Sequence, residues 1–577
     1  MKFSDKYIKK YWKLFCLSVL CLIVEASCDL MQPTIMSKIV DIGVAKNDMD
    51  FILQKGGVML LITFIGACAA VGRNIISSNV SIKFGADLRL DLFKKIQSFS
   101  FENIDNFETA SLVTRITNDV SQLQNFANGL MRIFIKAPLL CIGSIVMAIR
   151  LDPHMAIILL VVVPLVGFLI SINMRIGYPF FSKVQKSLDK VNSVSREYLS
   201  GVRVVKAFNR FHYEENRFDK VNKEQGATAI SAMQAMAIFS PAITLTVNFG
   251  IVAILMLGGV RVDNGNMKVG QVIAFINYMN QILFSLLIIS VVISSFARAR
   301  ASAERIGEVF LQEDSMEIPE EPMITCSIKG RIDFEQVCFS YSNSSGEAML
   351  KDISFTCMPG ETIGIIGSTG SGKSSLVNLI PRFYEVSSGT VKVDGIDVRK
   401  LDSKVLRDKI ALVPQKTTLF TGSIIDNIRW GNRNSTIEEV EKATQMAEAH
   451  QFICSFPEGY NTLLGQGGVN LSGGQKQRIS IARALVKHPE ILILDDCTNA
   501  VDVATEIRIR EALKEYSKEL TCIVIAQRIT SVIQADRIIV LENGDMVGIG
   551  THKELLRGCS VYLEIFNSQL GGGVNFE

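Results

Sequence analysis

The 577-residue chain is poor in chain breakers, with 13 prolines and 42 glycines, which excludes collagen-like and low-complexity classes. It has almost no charge imbalance. Sixty Lys and Arg stand against 57 Asp and Glu, a net +3, which argues against electrostatically driven nucleic-acid binding. No CxxC occurs, and none of the 12 cysteines falls in a loop expected to face outward. The pattern therefore gives neither a disulfide framework nor a zinc site. No small-residue cleavage site follows the first apolar run, so the N-terminus does not read as a cleavable signal. Charged residues make up 20% and hydrophobic ones 48%, with a mean hydropathy of +0.29. Length alone suggests about three or four domains.

The apolar residues gather in the first 300 positions. Residues 155–174, 225–260 and 269–297 are uncharged runs of 20, 36 and 29, each long enough to cross a bilayer core at ~20 residues per span. Weaker runs cover 56–72 and 137–149, and 14–37 is apolar around Glu25 and Asp29. Six spans result. Five lysines lie in the first 13 residues and eleven Lys and Arg in 174–230. The positive-inside rule then places the N-terminus, 83–125 and 174–230 in the cytoplasm, with the loops near 41–55, 150–153 and 261–268 outside. Stretches 75–125 and 174–230 keep helical periodicity and read as helices running on below the membrane. Each turns at a short cross-helix, near 101–111 and 207–218, which suits contact with another domain.

Beyond an acidic, proline-broken linker at 311–328, short β-branched runs alternate with helical segments, as in an α/β domain with a largely parallel sheet. The expected division is a transmembrane domain (1–310), the linker, an α/β domain (329–567) and a flexible tail (568–577).

Residues 362–366 read as a buried strand. Gly367-Ser368-Thr369-Gly370-Ser371-Gly372-Lys373-Ser374 follows, then Ser375 and a helix. This is the P-loop pattern in its required strand–loop–helix setting. Backbone N–H groups curl around phosphate, Lys373 places charge on the β- and γ-phosphates, and Ser374 suits Mg²⁺. Residues 491–494 are four aliphatics that deliver Asp495 beside that loop, as Mg²⁺-ATP chemistry needs. Between and beyond lie Gln415, after Val413 and Pro414, and the run Leu471-Ser472-Gly473-Gly474-Gln475.

In these motifs the chain resembles the ATP-binding cassette transporters. Residues 471–475 match the family signature, Gln415 the Q-loop (with a part in holding Mg²⁺), Tyr341 the adenine-stacking position, and Asp502, after Asn499, Ala500 and Val501, the D-loop. Six spans before one cassette are similar to an exporter half-transporter. The resemblance implies dimerisation, fourth and fifth helices crossing to the partner, and cross-helices that couple the cassette to the membrane. It also locates the departures. The family's general base, a glutamate after Asp495, is here Asp496. Its carboxylate sits roughly 1.5 Å back, where even ~1 Å of misplacement costs about 10²-fold in rate. The switch histidine is replaced by Gln527, which hydrogen-bonds but carries no proton at physiological pH. The acidic residue before the signature is Gln466.

The expected reading is the degenerate-site subunit of a heterodimeric exporter of amphipathic drugs or lipid-like compounds, in a bacterial inner membrane. A second half-transporter and membrane lipid are its partners, with no nucleic acid. Its P-loop site binds ATP and hydrolyses it poorly, while its signature completes the partner's site. The alternatives are a homodimeric lipid or peptide exporter with Asp496 as a working base, and a regulatory ATP-binding subunit.

In the membrane half, Glu25 and Asp29 share a helix face and either attract a cationic substrate or pair with Arg132 and Lys136 of the third span. Asn277, Gln281, Phe284 and Ile288 share one face of the sixth span, and Asn248 and Phe249 lie in the fifth. These mixed faces suit either an amphipathic cavity or interhelical hydrogen bonds. Asp41, at the outer end of the first span, is either part of an external gate or a solvated helix end.

Overall fold

The computed structural model describes residues 2–313, 316, 329–341, 348–516 and 520–570. Residues 314–315 and 317–328 of the expected linker, and 571–577 of the expected tail, lie outside the described residues. The chain divides into two compact units. One comprises Met1–Gln97 with Thr109–Gln312, and the other Ser98–Glu108 with Glu313–Glu577.

The first unit is helical. Among the described residues six helices are long and apolar enough to cross a membrane: Lys6–Val44, Met49–Gln97, Thr109–Leu151, Ala156–Ala207, Phe211–Asp263 and Val269–Leu311. Apolar surroundings supply no partner for a backbone amide, so helices that satisfy their own groups are the available solution. The second helix has 49 residues and the continuous helix Ala156–Ala207 has 52. At 1.5 Å per residue these run roughly 74 and 78 Å, more than twice the ~30 Å hydrocarbon core. Pro164 and Pro179 are accommodated inside the latter helix. The third span is interrupted by π-helical turns at Arg115–Asp119 and Leu130–Phe134.

The unit's core lies where the third, fourth, fifth and sixth spans meet. Phe275, Tyr278, Met279 and Ile282 of the sixth pack with Leu159, Val162, Val247 and Ile254. Tyr278 is fully buried and donates its hydroxyl to Leu30 O at 2.7 Å, which ties the sixth span to the first. The first and second helices run antiparallel: Tyr7 donates to Asp91 and Tyr11 to Asp87, both at 2.7 Å.

The cross-helix expected near 101–111 is the six-residue helix Phe101–Asn106, capped by Ser100. The one expected at 207–218 is not a separate helix. Residues 208–210 make a tight turn and the long helix Phe211–Ala237 begins at once. Asn209 takes a positive φ of 50° there, a conformation asparagine tolerates, and this turns the chain within three residues.

In the second unit a six-stranded sheet is ordered Asp545–Gly550, Arg537–Glu542, Thr362–Gly367, Thr521–Ile525, Ile491–Asp495, Ile410–Val413. Every pairing is parallel except the first. The central strands are buried throughout, as in Ile491–Asp495, which is why they read as aliphatic runs without alternation. A four-stranded antiparallel sheet (Leu350–Cys357, Ile332–Phe339, Ser388–Val393, Ile396–Asp397) packs against it through Phe334, Phe355, Ile363 and Leu376. The parallel register sets Ile365, Ile525 and Asp495 side by side, so their carboxyl ends open onto one crevice, the place where ligands bind in such sheets.

Candidate nucleotide site

The strand Thr362–Gly367 feeds a loop that ends at the short helix Lys373–Asn378. Gly372 caps that helix with φ 95°, and a Cβ there would meet Leu350 at 2.8 Å and Met349 O at 3.0 Å. Only glycine meets both demands. Ser368, Thr369 and Gly370 form the exposed lip, and Ser371 is buried beneath it. Lys373 lies under the loop and donates to Gly367 O (2.9 Å) and Ser368 O (2.6 Å). Burial holds its pKa below the ordinary lysine value, against the pull of Asp496 and Asp495.

Ser374 donates its hydroxyl to Asp495 Oδ1 at 3.0 Å. Burial raises the Asp495 pKa and the neighbouring Asp496 charge adds to this, while the Ser374 bond and Lys373 oppose. Asp496 is buried and takes a left-handed φ of 47°. Its Oδ2 accepts two amides, from Gln415 Nε2 at 3.0 Å and from Gln527 Nε2 at 2.9 Å. Three residues spread over more than a hundred positions thus converge on one oxygen. They line a cavity of 220 Å³ with Thr369, Lys373, Ser374 and Asp495.

Tyr341 sits beside the loop, where its hydroxyl shares a 2.9 Å hydrogen bond with Ser375 Oγ. Its ring stands edge-on to Phe339 and Tyr384, at 4.7 and 5.2 Å. Tyr384, which the sequence reading missed, donates to Asp105 of the short helix Phe101–Asn106 at 2.6 Å. The aromatic run near 383–384 was the available signal.

The segment 471–475 lies elsewhere. Leu471 is buried in the core, and Ser472 caps the helix Gly473–Leu485. Ser472 Oγ accepts from Gln475 N (3.3 Å), and Gln475 Oε1 accepts from Ser472 N (2.9 Å). A Cβ on Gly474 would stand 2.7 Å from Ala500 O, so glycine lets this helix start lie against the loop before Asp502. Asp502 accepts from Thr505 N at 2.9 Å. None of residues 471–475 lines the P-loop cavity.

The donor set at the cavity floor suits Mg²⁺: one hydroxyl, one carboxylate and a neighbouring amide. This ion usually binds through one or two carboxylates with substrate phosphates and waters. Among the described residues no cluster of three His, Cys, Asp or Glu could hold a metal without such help.

In the helical unit, Glu25 and Asp29 do pair, but with a different set from the one expected. Glu25 accepts from Arg73 Nε at 2.7 Å and from Lys136 Nζ at 2.6 Å, and Lys136 also meets Asp29 at 2.9 Å. Arg73 replaces the Arg132 side chain in this network, and Arg132 contributes only its carbonyl, which accepts from Arg73 at 3.1 Å. The signal for Arg73 was its place at the end of the uncharged run 56–72. Asp41 is not a solvated helix end. Its Oδ1 accepts from Gly270 N at 2.5 Å and its Oδ2 from Ser37 Oγ at 2.9 Å, which joins the first span to the start of the sixth. Gln281 accepts from Ser144 at 2.8 Å and Asn277 donates to Ile273 O within its own helix. Asn248, Phe249 and Phe284 are exposed.

Comparisons with known proteins agree across the chain. The family model for the ABC transporter transmembrane region matches residues 15–286, and that for the ABC transporter matches 350–499. The "Uncharacterized ABC transporter ATP-binding protein YfiB" of Bacillus subtilis is 40% identical over 571 residues, 99% of either chain. The same organism's "Putative multidrug export ATP-binding/permease protein YgaD" is 32% identical, over 99% of each. A solved bacterial Atm1-family ABC exporter with ATP bound superposes with a TM-score of 0.81 over 98% of this chain and 99% of that one. At 23% identity this likeness bears on the fold.

Proposed function

The chain belongs to the ABC transporter family, as an integral-membrane exporter with its own ATP-binding domain, and from that premise we propose that it is one subunit of a heterodimeric exporter whose own P-loop site binds ATP and hydrolyses it poorly. The bonding of Asp496 carries this reading. A general base must turn a free lone pair to the attacking water. Here the Asp496 Oδ2 accepts Gln415 and Gln527 together, which fixes the carboxylate and leaves the water to Oδ1, on a side chain one methylene shorter than the family's glutamate. Gln527 donates its amide to this carboxylate and has no titrating proton to offer.

Residues 367–375 hold the phosphates of ATP, and Tyr341 stacks on the adenine. Ser374, Asp495 and Gln415 hold Mg²⁺, which when bound neutralises charge on the β- and γ-phosphates. Residues 1–310 form the transmembrane domain and 329–567 the cassette, joined by 311–328. The N-terminus and cassette face the cytoplasm of a bacterial inner membrane. Residues 471–475 and Asp502 stand outside their own chain's cavity, which supports their completing a site on the partner. Long helices 156–207 and 211–237 pack mainly on each other below the core, which supports their crossing to that partner. Amphipathic drugs or lipid-like compounds are the cargo, in keeping with the name of YgaD.

The test is ATP turnover by this chain purified alone in lipid, with nucleotide binding measured in the same sample. Binding without turnover is expected. Turnover near 1 s⁻¹ or faster, within the ordinary ~1–10³ s⁻¹ enzyme range, overturns the degenerate site and makes Asp496 a working base.

A further inference from the structure

The carboxylates of the helical unit invite the idea of a cationic ligand, but the bonding points the other way. One group of charges meets between the first three spans: Glu25, Asp29, Arg73 and Lys136, with Arg132 joined through its carbonyl. Three cations against two anions leave +1 in this group. Glu25 is buried, with Oε2 accepting from Arg73 and Oε1 shared between Arg73 and Lys136. Asp29 meets Lys136. The anions are therefore used up, and the Arg132 guanidinium has no acceptor among the described residues. Arginine cannot shed its charge to relieve this, and an intramembrane cation without a counter-ion is costly.

The neighbourhood of Arg132 is amphipathic. It lies in the π-helical turn Leu130–Phe134, which places Phe134 5.5 Å from Phe126, and Phe126 5.9 Å from Phe296 of the sixth span. Phe296 is 55% exposed, so this aromatic group presents apolar surface. Asn128 Oδ1, one turn before Arg132, is buried without a hydrogen-bond partner. Arg132 stands 18 positions before Arg150, roughly 27 Å along a helix in a ~30 Å core. That is near one membrane face, where the headgroup of an amphiphile sits.

We infer that Arg132 binds the anionic headgroup of an amphiphile whose apolar part lies on Phe126, Phe134 and Phe296. The site selects carboxylate-, sulfonate- or phosphate-bearing molecules over cations. Calling its ligand a substrate rests on the exporter reading. The binding itself does not, since it needs neither nucleotide nor partner.

The test uses the full chain in neutral phosphatidylcholine nanodiscs without nucleotide. Two dansyl-dodecyl probes are compared, one ending in a sulfonate and one in a trimethylammonium group. The sulfonate binds about tenfold tighter, the size expected of one hydrogen-bonded charge contact. Arg132→Gln removes the preference and Arg132→Lys keeps most of it. Equal binding, a preference for the cation, or an unchanged preference in Arg132→Gln overturns the proposal. Titrating phosphatidylglycerol into the discs then separates two sources of the same chemistry. Displacement of the sulfonate upholds the site as one for a lipid headgroup, and retention upholds it as one for the exported amphiphile. Turnover by the chain alone would sink the degenerate-site reading and leave these affinities untouched.

Discussion

Two helix starts in the α/β unit are glycine-rich, and they are finished differently. At the P-loop the chemical side chains engage one another within the chain: Lys373 with loop carbonyls, Ser374 with Asp495, and Gln415 and Gln527 with Asp496. At residues 471–475 the capping box supplies a reciprocal pair of bonds and Arg478 donates to Gly474 O, while the exposed Ser472 and Gly473 do not line the P-loop cavity. The difference teaches where to look for each defect. On the proposed reading, the first site shows its altered residues in its own geometry, whereas the second keeps residues that its capping box and the close approach to Ala500 also require.

The largest effect should come from cutting the P-loop. Lys373→Ala removes the buried cation of the loop and weakens ATP binding by about 10²-fold or more, as equilibrium binding by a fluorescent ATP analogue reads. Next, Asp496→Glu with Gln527→His restores base reach and a titratable partner. Turnover by the chain alone should rise by about 10²-fold, and no rise would show that the two sites differ for another reason. Ser472→Ala should then act on the other site. In the assembled transporter it lowers turnover about tenfold through a lost helix cap of ~1 kcal/mol and a lost phosphate donor, while ATP binding by the chain alone stays unchanged. A fall in that binding would erase the distinction between the two helix starts.

The smallest effect is a pH slope. The Asp495 pKa is raised by burial and by Asp496. A raised carboxylate favours its neutral form in the fold, so its stabilisation is full below the unfolded value, about 3.9. It is lost as pH rises through the folded value. Thermal unfolding of the nucleotide-free protein should therefore show an alkaline-going loss across that window that Asp495→Asn removes. An identical slope in both would place the titration elsewhere.

Much was legible because the signals are local. Apolar runs longer than a bilayer core announce the spans, and a strand, a glycine loop and Lys373-Ser374 in succession announce the phosphate cradle. What escaped was long-range. Arg73 lies 48 positions from Glu25, and no periodicity within one helix can say which face of another helix it meets. The cross-helix expected over 207–218 was read from a charged stretch, but Asn209 with its positive φ lets the chain reverse without one. Lys136 was foreseen as a partner and Arg132 was not separated from it, because a π-helical turn between them breaks the four-residue repeat that would put both on one face.

The sequence by itself determined the family, the six spans, the cassette and the substitutions Asp496 and Gln527, since each depends on residue type at fixed spacing. Only the tertiary structure decided that Gln415 and Gln527 close on the same carboxylate oxygen, that the membrane carboxylates are spent on Arg73 and Lys136, and that Arg132 is left over. Those outcomes depend on which side chains packing brings within about 3 Å, and hydrogen bonds fall off too steeply with distance and angle for sequence separation to foretell them.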